Sequence, residues 1–597
     1  MAESFVVDAK KAALKQPKFL PMSRLEMDEL GWDELDVLLL SGDAYVDHPS
    51  FACALLGRLL ISHGWRTGIL AQPNWQDKRA VTLLGRPKLF CGIAPGAVDS
   101  MLANYTAMRQ KRKTDAYAPG GKMGFRPNRC SIVYANLCQH AFPGLPVILG
   151  GIEASTRRLT HYDFWTDSLR RPLLFDAKAS LLVYGMGELA ILEIASRLKN
   201  NESLLGIWGT AWISRLKDGE PIDVPEDYVH SDAIVLPSHA LLMQDKEALL
   251  NQALLQEELL QRGNKYAYEQ VDSRALMMAP PARRLTTAEL DFLYELPFAR
   301  KQHPSYKAQI AAATMIETSM TSHRGCGGGC SFCSIALHQG RRIASRSKES
   351  LVREAKILAK EHGAKRRGRG VAISDVGGPT ANMWQASCTH PKKDNASWYC
   401  KRVSCCYPAI CPFFHVPHAK HIELLRAIKK LEGVKQVRVA SGVRADLALQ
   451  DKSCLEAYIA EFTGGQLKLA PEHCVPHVLE LMRKPPLAIF EEFLTVFKLQ
   501  NKLLHRKQYV VPYLLSAFPG CTDADMQELS SWLSQRNWTP KQTQCFIPTP
   551  GTVATAMYYC AKNAQGTAIY VAHSDAERLR QHELLVRPQK KAKNKPK

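Results

Sequence analysis

Short apolar runs alternate with helical patterns along the first half of the chain. Val, Ile and Leu dominate each run, and Gly, Pro or Ser closes it, which is typical of strands buried in a sheet. Between the first two runs, SFACALLGRLLISHGW has apolar residues at helical spacing. Strand, helix and strand at this rhythm predict a doubly wound parallel sheet. The six predicted strands are LDVLLLSG (35–42), RTGILAQP (66–73), KLFCGIAPG (88–96), CSIVYANL (130–137), PVILGGIEAS (146–155) and ASLLVYGMGE (179–188).

A long amphipathic helix and a proline-marked connector follow this sheet. Residues 240–262 have the apolar spacing of a helix, and Gly263 is placed to end it. In the connector, Thr286 and Glu289 have the spacing of a capping box. We therefore predict a first domain over residues 1–300, with a boundary at 300–311.

The second half of the chain repeats the alternation. Helical patterns at 347–362, 418–431, 486–503 and 523–535 separate six more predicted strands. Six such repeats favour a partial (β/α)6 barrel or an open α/β sheet, with function at the carboxyl ends of the strands. We predict this core over 311–580, a Cys-rich insertion at 386–415, and a disordered basic tail at 581–597. The strands are AATMIETS (312–319), GVAISDVGG (370–378), VKQVRVASG (434–442), GQLKLAPEH (465–473), QYVVPYLLSAFPG (508–520) and QCFIPTP (544–550).

Composition and charge narrow the class of protein. Of 597 residues, 46% are hydrophobic and 23% charged, which excludes a disordered chain, a collagen-like fibre and a simple coiled coil. The net charge of +21 favours polyanionic partners. Basic runs lie at Arg109–Lys113, Arg341–Arg346 and Lys365–Arg369. Because the chain has no run of 18 apolar residues and no signal-peptide pattern, we expect no membrane partner and a cytoplasmic location.

The cysteines are unevenly distributed. Thirteen of the 17 follow residue 311, and eight of these lie between Cys326 and Cys411. In a reducing compartment such a group favours metal binding over disulfides. Cys326, Cys330 and Cys333 lie in CGGGCSFC, where glycines allow a tight loop. Three thiolates leave one iron of an iron–sulfur cube open to another ligand, whereas a structural zinc loop or three unrelated thiols are the alternatives.

The segment CGGGCSFC resembles the CxxxCxφC motif of the radical S-adenosylmethionine (SAM) enzymes, with Phe332 as the aromatic residue. That resemblance implies a [4Fe-4S] cluster on the three cysteines and SAM on the open iron. It also implies reductive cleavage of SAM to methionine and a 5′-deoxyadenosyl radical, which abstracts hydrogen from a substrate. A flavodoxin- or ferredoxin-like protein is the expected electron donor.

Three later segments resemble the SAM-facing segments of that superfamily. DVGGPT (375–380) stands at the GGE-like position, with Pro379 in place of the acid, so backbone carbonyls would accept the amino protons of SAM. SGVRAD (441–446) and APEH (470–473) end the next two strands. The alternatives are turns that merely end strands and, for the arginine, a structural ion pair. The residues expected to bind the cofactor are Phe332, Gly377, Gly378, Ser441, Arg444 and Glu472.

The chain as a whole resembles the YgiQ family of radical SAM proteins, which carry an α/β domain before the core. The segments that carry this resemblance are SGDAYVDHPSF (41–51), GGIEASTRR (150–158), PPARRLTTAELDFLYELPF (280–298) and PTPGTVATAMYY (548–559). The first domain also resembles cobalamin-binding domains, but the DxHxxG signature is absent. We therefore expect a cobalamin-binding-like fold without cobalamin, and we expect His48 at the carboxyl edge of its sheet.

The Cys-rich insertion is a second candidate metal site. It contains Cys388, Cys400, Cys405, Cys406 and Cys411 in a polar, proline-broken segment. Cys388, Cys400, Cys405 and Cys411 could bind zinc or an auxiliary iron–sulfur cluster. A loop of free thiols is the alternative.

Two functions therefore stand against each other. The first is a radical SAM enzyme that acts on an unknown substrate, for which RNA is one candidate. The second is a non-catalytic, metal-containing nucleic-acid-binding protein, which would show steeply salt-dependent RNA binding. Neither the catalytic residues beyond the cofactors nor the oligomeric state follows from the sequence.

Overall fold

A computed structural model describes residues 14–363, 370–393, 395, 398–540 and 542–586. The described chain divides into two units: unit 1 runs to Glu317 and includes Leu337–Gly340, and unit 2 comprises Thr318–Ala336 and the residues from Arg341 onward. The division lies beyond the predicted boundary at 300–311. The basic run Lys365–Arg369 and residues 587–597 of the predicted tail lie outside the described residues.

Five parallel strands form one half of the sheet in unit 1, in the order β2-β1-β3-β4-β5. In the register of β1, Leu39 lies opposite Ile69 on one side and Gly92 on the other. All of β1 is buried, as expected for a central parallel strand covered on both faces. Five of the six strands predicted here are therefore present. They are β1 (Val37–Ser41), β2 (Thr67–Ala71), β3 (Phe90–Ala94), β4 (Val147–Leu149) and β5 (Leu181–Val183).

The other half of the sheet is mostly antiparallel, so the sheet is mixed and not purely parallel as predicted. The complete order is β8-β9-β10-β6-β5-β4-β3-β1-β2, with β7 paired to β6. The sequence favours hairpins and loops over 204–240, and β6 and β7 form such a hairpin, but it predicts no strand of the main sheet there. The added strands come from residues 204–278. They are β6 (Thr210–Lys217), β7 (Glu220–Pro221), β8 (Ile234–Val235), β9 (Ala267–Val271) and β10 (Arg274–Met278).

The segment 130–137, the fourth of the six predicted strands, is helical in the structure. It forms most of α4, in which Cys130, Tyr134 and Cys138 are buried at intervals of four residues. An eight-residue apolar run does not separate a helix from a strand by periodicity alone. The spacing of the buried residues resolves the ambiguity, because it repeats every turn of a helix.

The helices of unit 1 follow their capping signals. In α9, Asp245 caps the first turn, and Gly263 ends the helix with a φ of 73°. The predicted capping box of Thr286 and Glu289 is present at α10. The helices are α1 (Arg24–Glu29), α2 (Ala52–Ser62), α3 (Ser100–Asn104), α4 (Cys130–Ala141), α5 (Gly151–Thr156), α6 (Leu173–Ala177), α7 (Glu188–Lys199), α8 (His239–Gln244), α9 (Lys246–Arg262), α10 (Thr287–Tyr294) and α11 (Ala311–Ile316).

In unit 2, parallel strands follow one another in chain order. β11 pairs with β13, β12 with β14, and β15 with β16, which pairs with β17. A parallel bridge between Val443 and Leu469 joins the third and fourth βα repeats. The order of these repeats agrees with both predicted architectures, a partial (β/α)6 barrel and an open α/β sheet. The strands are β11 (Ser319–Thr321), β12 (Val371–Ile373), β13 (Asp375–Gly377), β14 (Val434–Val437), β15 (Gln466–Glu472), β16 (Tyr509–Ser516) and β17 (Gln542–Cys545).

Two predictions in this half need correction. The strand predicted at 312–319 starts only at Ser319, because the Ala-rich stretch before it forms α11. Helix α21 extends to Val586, into the segment assigned to a disordered tail. The helices after α11 are α12 (Ile335–Gln339), α13 (Lys348–Gly363), α14 (His418–Lys429), α15 (Ala445–Ala448), α16 (Lys452–Ala457), α17 (Pro476–Met482), α18 (Leu487–Leu503), α19 (Asp523–Gln535), α20 (Val553–Cys560) and α21 (Asp575–Val586).

No helix among the described residues has the length and apolar character needed to cross a membrane.

Candidate functional site

The three closely spaced cysteines lie on a loop between β11 and α12, which we call the cysteine loop (Cys326–Cys333). Ser331 fixes its second half, because the Ser331 hydroxyl donates to Leu481 O at 2.7 Å and its carbonyl accepts the Ala554 N–H at 2.9 Å. Gly329 has a φ of +63°, and a Cβ there would lie 2.4 Å from Val403 O. The loop therefore requires glycine at this turn.

The three thiols influence one another electrostatically. Burial, with smaller contributions from the neighbouring Cys330, Cys326 and Glu472 side chains, raises the pKa of the Cys333 thiol to about 12. A metal ligand must be a thiolate, so binding of a cationic centre here must release protons. The loop thus presents three neighbouring thiols, each of which would become a thiolate on binding such a centre.

The end of β13 reaches the first cysteine. The Thr380 hydroxyl lies 3.4 Å from Cys326 Sγ. A Cβ on Gly378 would lie 2.7 Å from the ring of His323, so the backbone passes directly over this imidazole. Burial lowers the pKa of His323 to about 4, which leaves the ring neutral at pH 7.

The carbonyl of Gly377 is already occupied. It accepts the Ser322 N–H at 2.7 Å and the Ser322 hydroxyl at 3.1 Å. These two bonds use both lone pairs of the oxygen. Of the backbone carbonyls expected to accept the amino protons of SAM, this one is therefore engaged within the protein.

Arg444 forms a structural ion pair and also lies against the cysteine loop. Its side chain makes a two-point ion pair with Asp446, at 3.0 Å and 2.6 Å. The third nitrogen, Nη1, lies 2.9 Å from the position that a Cβ on Gly328 would take. Arg444 is thus a paired, buried cation that also lies against the cysteine loop. Asn382 fixes its backbone, with both amide atoms bonded to the Arg444 N–H and carbonyl at 3.0 Å.

Glu472 ends β15 in a strained conformation. Its φ is +67°, which is uncommon for a residue with a side chain. Burial raises the pKa of its carboxyl, and the Lys484 ammonium, 3.9 Å away, lowers it in part. Its effect on the Cys333 thiol places the Glu472 carboxylate near the third cysteine.

Phe332 and Ser441, two further residues expected to bind the cofactor, contact other parts of unit 2. The ring of Phe332 packs edge-on against Phe518, with 6.1 Å between centroids. Ser441 is bound to Asp375. Thr380, Asp375 and Asn382 were not among the expected residues. Asp375 and Thr380 lie within the expected DVGGPT segment, and Asn382 follows it closely. This position in the chain is the sequence signal that could have indicated them.

The sequence of this chain is similar to that of known proteins over most of its length. Residues 19–319 match the family described as Radical SAM N-terminal. A UPF0313 protein of Rhodopseudomonas palustris is 44% identical, over 92% of this chain and 83% of its own length. A UPF0313 protein of Thermotoga neapolitana is also 44% identical, over 91% of this chain and 93% of its own length. The chain belongs to the UPF0313 family.

A solved structure with a similar fold is the radical SAM methyltransferase TsrM from Kitasatospora setae, determined with cobalamin and a [4Fe-4S] cluster bound. The match covers 91% of the UPF0313 chain and 84% of TsrM, with 15% identity and a TM-score of 0.50. At this identity the likeness concerns the fold alone. It supports an α/β architecture for the UPF0313 chain.

The donor set of the cysteine loop fits an iron–sulfur cluster. Three thiols within mutual electrostatic range can supply three of four iron ligands, and one iron stays open. Across the described ranges, no three or more His, Cys, Asp or Glu side chains are grouped closely enough to hold a metal ion. The fit therefore rests on the chemistry and proximity of the three thiols.

The insertion of the UPF0313 chain brings together three of its thiols. Burial raises the pKa of the Cys405 thiol, nearby Arg341 lowers it, and Cys400 and Cys411 raise it. The backbone joins two of them, because Cys411 N–H donates to Cys405 O at 2.8 Å. Cys388 is exposed, on a short strand opposite Phe414.

Cys406 differs from its neighbours in the insertion. It is 2% exposed and packs among apolar side chains that include Met383 and Leu447. Burial raises the pKa of its thiol. It therefore acts as a small apolar core residue.

In unit 1, the position where cofactors of open α/β sheets bind is filled. That position lies at the carboxyl ends of β1 and β3, where the strand order reverses. A Cβ on Gly42 would lie 1.9 Å from Pro95 O, so the two loops touch. Arg126 lies there, 2% exposed, and donates to Pro95 O and to Asp43, each at 2.6 Å. Asp115 is its second partner, at 3.3 Å.

Cobalamin does not fit this edge of the UPF0313 chain. A nucleotide tail would have to displace a buried arginine from two buried carboxylates, which is strongly unfavourable. His48, expected at this edge, is 2% exposed, and its Nδ1 accepts the Ser50 N–H at 3.1 Å. It stabilises a turn and does not face solvent.

Proposed function

We propose that this protein is a radical SAM enzyme. Cys326, Cys330 and Cys333 hold a [4Fe-4S] cluster whose open iron binds SAM, and the bound pair supplies a 5′-deoxyadenosyl radical to a substrate not yet identified. The observation that carries the proposal is convergence. Thr380 and Arg444, which follow two successive strands, lie against one cysteine loop, and Glu472, at the end of the next strand, acts electrostatically on Cys333.

The protein residues position charge around that loop. Arg444 brings a permanent positive charge beside Gly328, where it balances thiolates and the carboxylate of a bound amino acid. Asp446 fixes the plane of the guanidinium through two hydrogen bonds. Thr380 can donate its hydroxyl proton to the sulfur of Cys326.

Phe332, Gly377, Gly378 and Ser441 belong to the same proposed SAM site. The two glycines lie on β13 and directly after it, where the absence of side chains lets the backbone pass close to Ser441 and His323. Ser441 follows β14 and is fixed by Asp375. Phe332 fills the space between the loop and Phe518.

Two kinds of partner belong to this proposal. The first is a flavodoxin- or ferredoxin-like donor, because reductive cleavage of SAM needs one external electron. The second is a polyanion such as RNA, for which the net charge of +21 is the supporting observation. We infer that the protein is a soluble, cytoplasmic enzyme that meets both partners in the cytoplasm.

The insertion is proposed to hold a second metal. Cys400, Cys405 and Cys411 are mutually close thiols, and Cys388 lies on the strand opposite Phe414. Thiolates of this kind bind zinc or an auxiliary iron–sulfur cluster, and metal analysis separates the two.

The experiment that tests the main proposal uses anaerobically purified protein. Iron and sulfide per chain are measured, and 5′-deoxyadenosine is assayed after addition of SAM and dithionite. A Cys326/Cys330/Cys333→Ala variant should lose the cluster and the product. Cys454→Ala is the matched control, since Cys454 is a buried thiol of unit 2 outside both cysteine groups. Wild-type protein that holds a cluster and forms no 5′-deoxyadenosine contradicts the proposal.

A further inference from the structure

Ser404, in the insertion, is hydrogen bonded to the cysteine loop. Its hydroxyl donates to Gly328 O at 2.6 Å and accepts the N–H groups of Cys406 and Tyr407, each at 2.9 Å. The side chain is fully buried. Because a hydroxyl has one donor and two acceptor positions, every hydrogen-bonding capacity of Ser404 is used.

The residues on either side of Ser404 contact the same stretch of glycines. Cys405 N–H donates to Gly327 O at 2.8 Å. The carbonyl of Val403 occupies the space that a side chain on Gly329 would need. Three successive residues of the insertion therefore contact three successive glycines between the first two cysteines.

These bonds fix the peptide planes of the loop. In a trans peptide, the C=O and N–H groups point in opposite directions. With the carbonyls of Gly327 and Gly328 turned towards the insertion, the N–H groups of Gly328 and Gly329 point away from it. The negative ends of two peptide dipoles are thus directed to Ser404 and its neighbour.

The insertion is itself braced at this point. Arg402 donates to Ser404 O at 3.1 Å, to Tyr407 O at 3.1 Å and to Ala409 O at 2.6 Å. Arg341, which follows α12, donates to Arg402 O at 2.6 Å. The Arg402 guanidinium thus closes the turn that carries Ser404, and Arg341 holds the backbone of Arg402.

We propose that Ser404 is a positioning residue for the iron–sulfur cluster. This inference rests on the proposed radical SAM function. Ser404 holds the Gly327 and Gly328 carbonyls away from the cluster, so that N–H groups, and not carbonyl oxygens, face the cluster and its sulfur atoms. Hydrogen bonds and dipoles of this orientation stabilise the added electron of a reduced cluster. The insertion thereby sets the reduction potential of the cluster.

The test is a redox titration of the anaerobic, cluster-containing protein, followed by electron paramagnetic resonance. In Ser404→Ala, the ratio of reduced to oxidised cluster at a fixed potential should fall about tenfold, the equilibrium effect of one hydrogen bond. That corresponds to a midpoint about 59 mV more negative for one electron. Ser404→Thr, which keeps the hydroxyl, should restore the ratio. Ser530→Ala, at a buried serine of α19, should leave it unchanged.

Each outcome decides the proposal. Loss of the cluster from Ser404→Ala that Ser404→Thr reverses also supports it. An unchanged midpoint in Ser404→Ala, or the same loss in both variants, overturns it. Wild-type protein that binds no cluster would instead contradict the proposed function, so the two failures are distinguishable.

Discussion

The carboxylate of Asp375 accepts hydrogen bonds from both the backbone and the side chain of Ser441. Oδ1 accepts the Ser441 N–H at 3.0 Å, and the Ser441 hydroxyl donates to Oδ2. The same Oδ1 accepts the Ala440 N–H at 2.7 Å. One side chain on β13 thus fixes the start of the segment that carries Arg444.

Asp375→Ala should weaken SAM binding and spare the cluster. Asp375 bonds the SGVRAD segment and none of the three loop cysteines. The variant loses all three of these bonds, and the loosened segment should cost SAM binding about 2 kcal/mol, the size of one charged hydrogen bond, so SAM affinity should fall about thirtyfold. Equilibrium dialysis with anaerobic protein measures it, alongside iron content. Asp451→Ala, which removes a helix-capping carboxylate elsewhere in unit 2, is the control. Unaltered SAM affinity in Asp375→Ala would argue against this role.

The pair of Arg444 and Asp446 allows structure and function to be separated. Asp446→Ala leaves a buried arginine unpaired, and should lower the free energy of unfolding by about 3 kcal/mol. An apolar double variant, Arg444→Met with Asp446→Leu, should recover much of that stability. It should not recover 5′-deoxyadenosine formation, because the charge beside Gly328 is gone. Thermal unfolding and the product assay report the two effects. Full activity in the double variant would show that Arg444 is structural only.

Local patterns predicted most of the secondary structure. The helices at 348–363, 418–429, 487–503 and 523–535 agree with the predicted helical segments, because their apolar faces repeat at helical spacing. The antiparallel half of the sheet was anticipated only as hairpins and loops over 204–240, where β6 and β7 do form a hairpin. Its order in the sheet also depends on pairs of distant residues, such as Met278 and Ala211, and single-sequence patterns carry no such information.

The candidate site shows the same division. The cysteine loop and the strand-end segments are motifs, and they were visible in the sequence. Ser404 and Asn382 were not, because their roles depend on contacts 76 and 62 residues away in the chain. A buried serine has no distinguishing pattern until its partner is known.

Metal analysis of the insertion should separate its cysteines. Cys400→Ala, Cys405→Ala and Cys411→Ala should each lose the second metal, because the three thiols are neighbours. Cys406→Ala should retain it, since Cys406 packs in an apolar group. Inductively coupled plasma measurement of zinc and iron per chain distinguishes zinc from a second cluster. Equal metal content in all four variants would mean that the insertion binds none.

A buried carboxyl in unit 1 should make its stability depend on pH. Burial raises the pKa of Glu269 to about 7, although Thr160 donates to it at 2.9 Å and opposes the shift. The folded protein then holds a proton that the unfolded chain releases above its ordinary pKa. Stability should therefore fall as pH rises from 4.5 to 7, by up to about 3 kcal/mol.

Glu269→Gln should remove that dependence. The neutral amide has the shape of the protonated acid, so the variant should melt higher than the wild type at pH 8 and near it at pH 5. Differential scanning calorimetry at both pH values measures the change. Glu226→Gln, at an exposed glutamate, should leave both melting temperatures unaltered. A constant difference between Glu269→Gln and wild type across this range would show that Glu269 is ionised when buried.

The ion group of Arg126, Asp43 and Asp115 should exclude cobalamin from unit 1. The loops after β1 and β3 touch at Gly42 and Pro95, and the guanidinium fills the remaining space. Wild-type protein incubated with hydroxocobalamin should therefore elute from gel filtration without corrin absorbance, whereas TsrM retains it as a positive control. Arg126→Ala should lower the free energy of unfolding by about 3–5 kcal/mol, because two buried carboxylates lose their partner. One cobalamin retained per wild-type chain would mean that this edge opens, at the cost of that ion group.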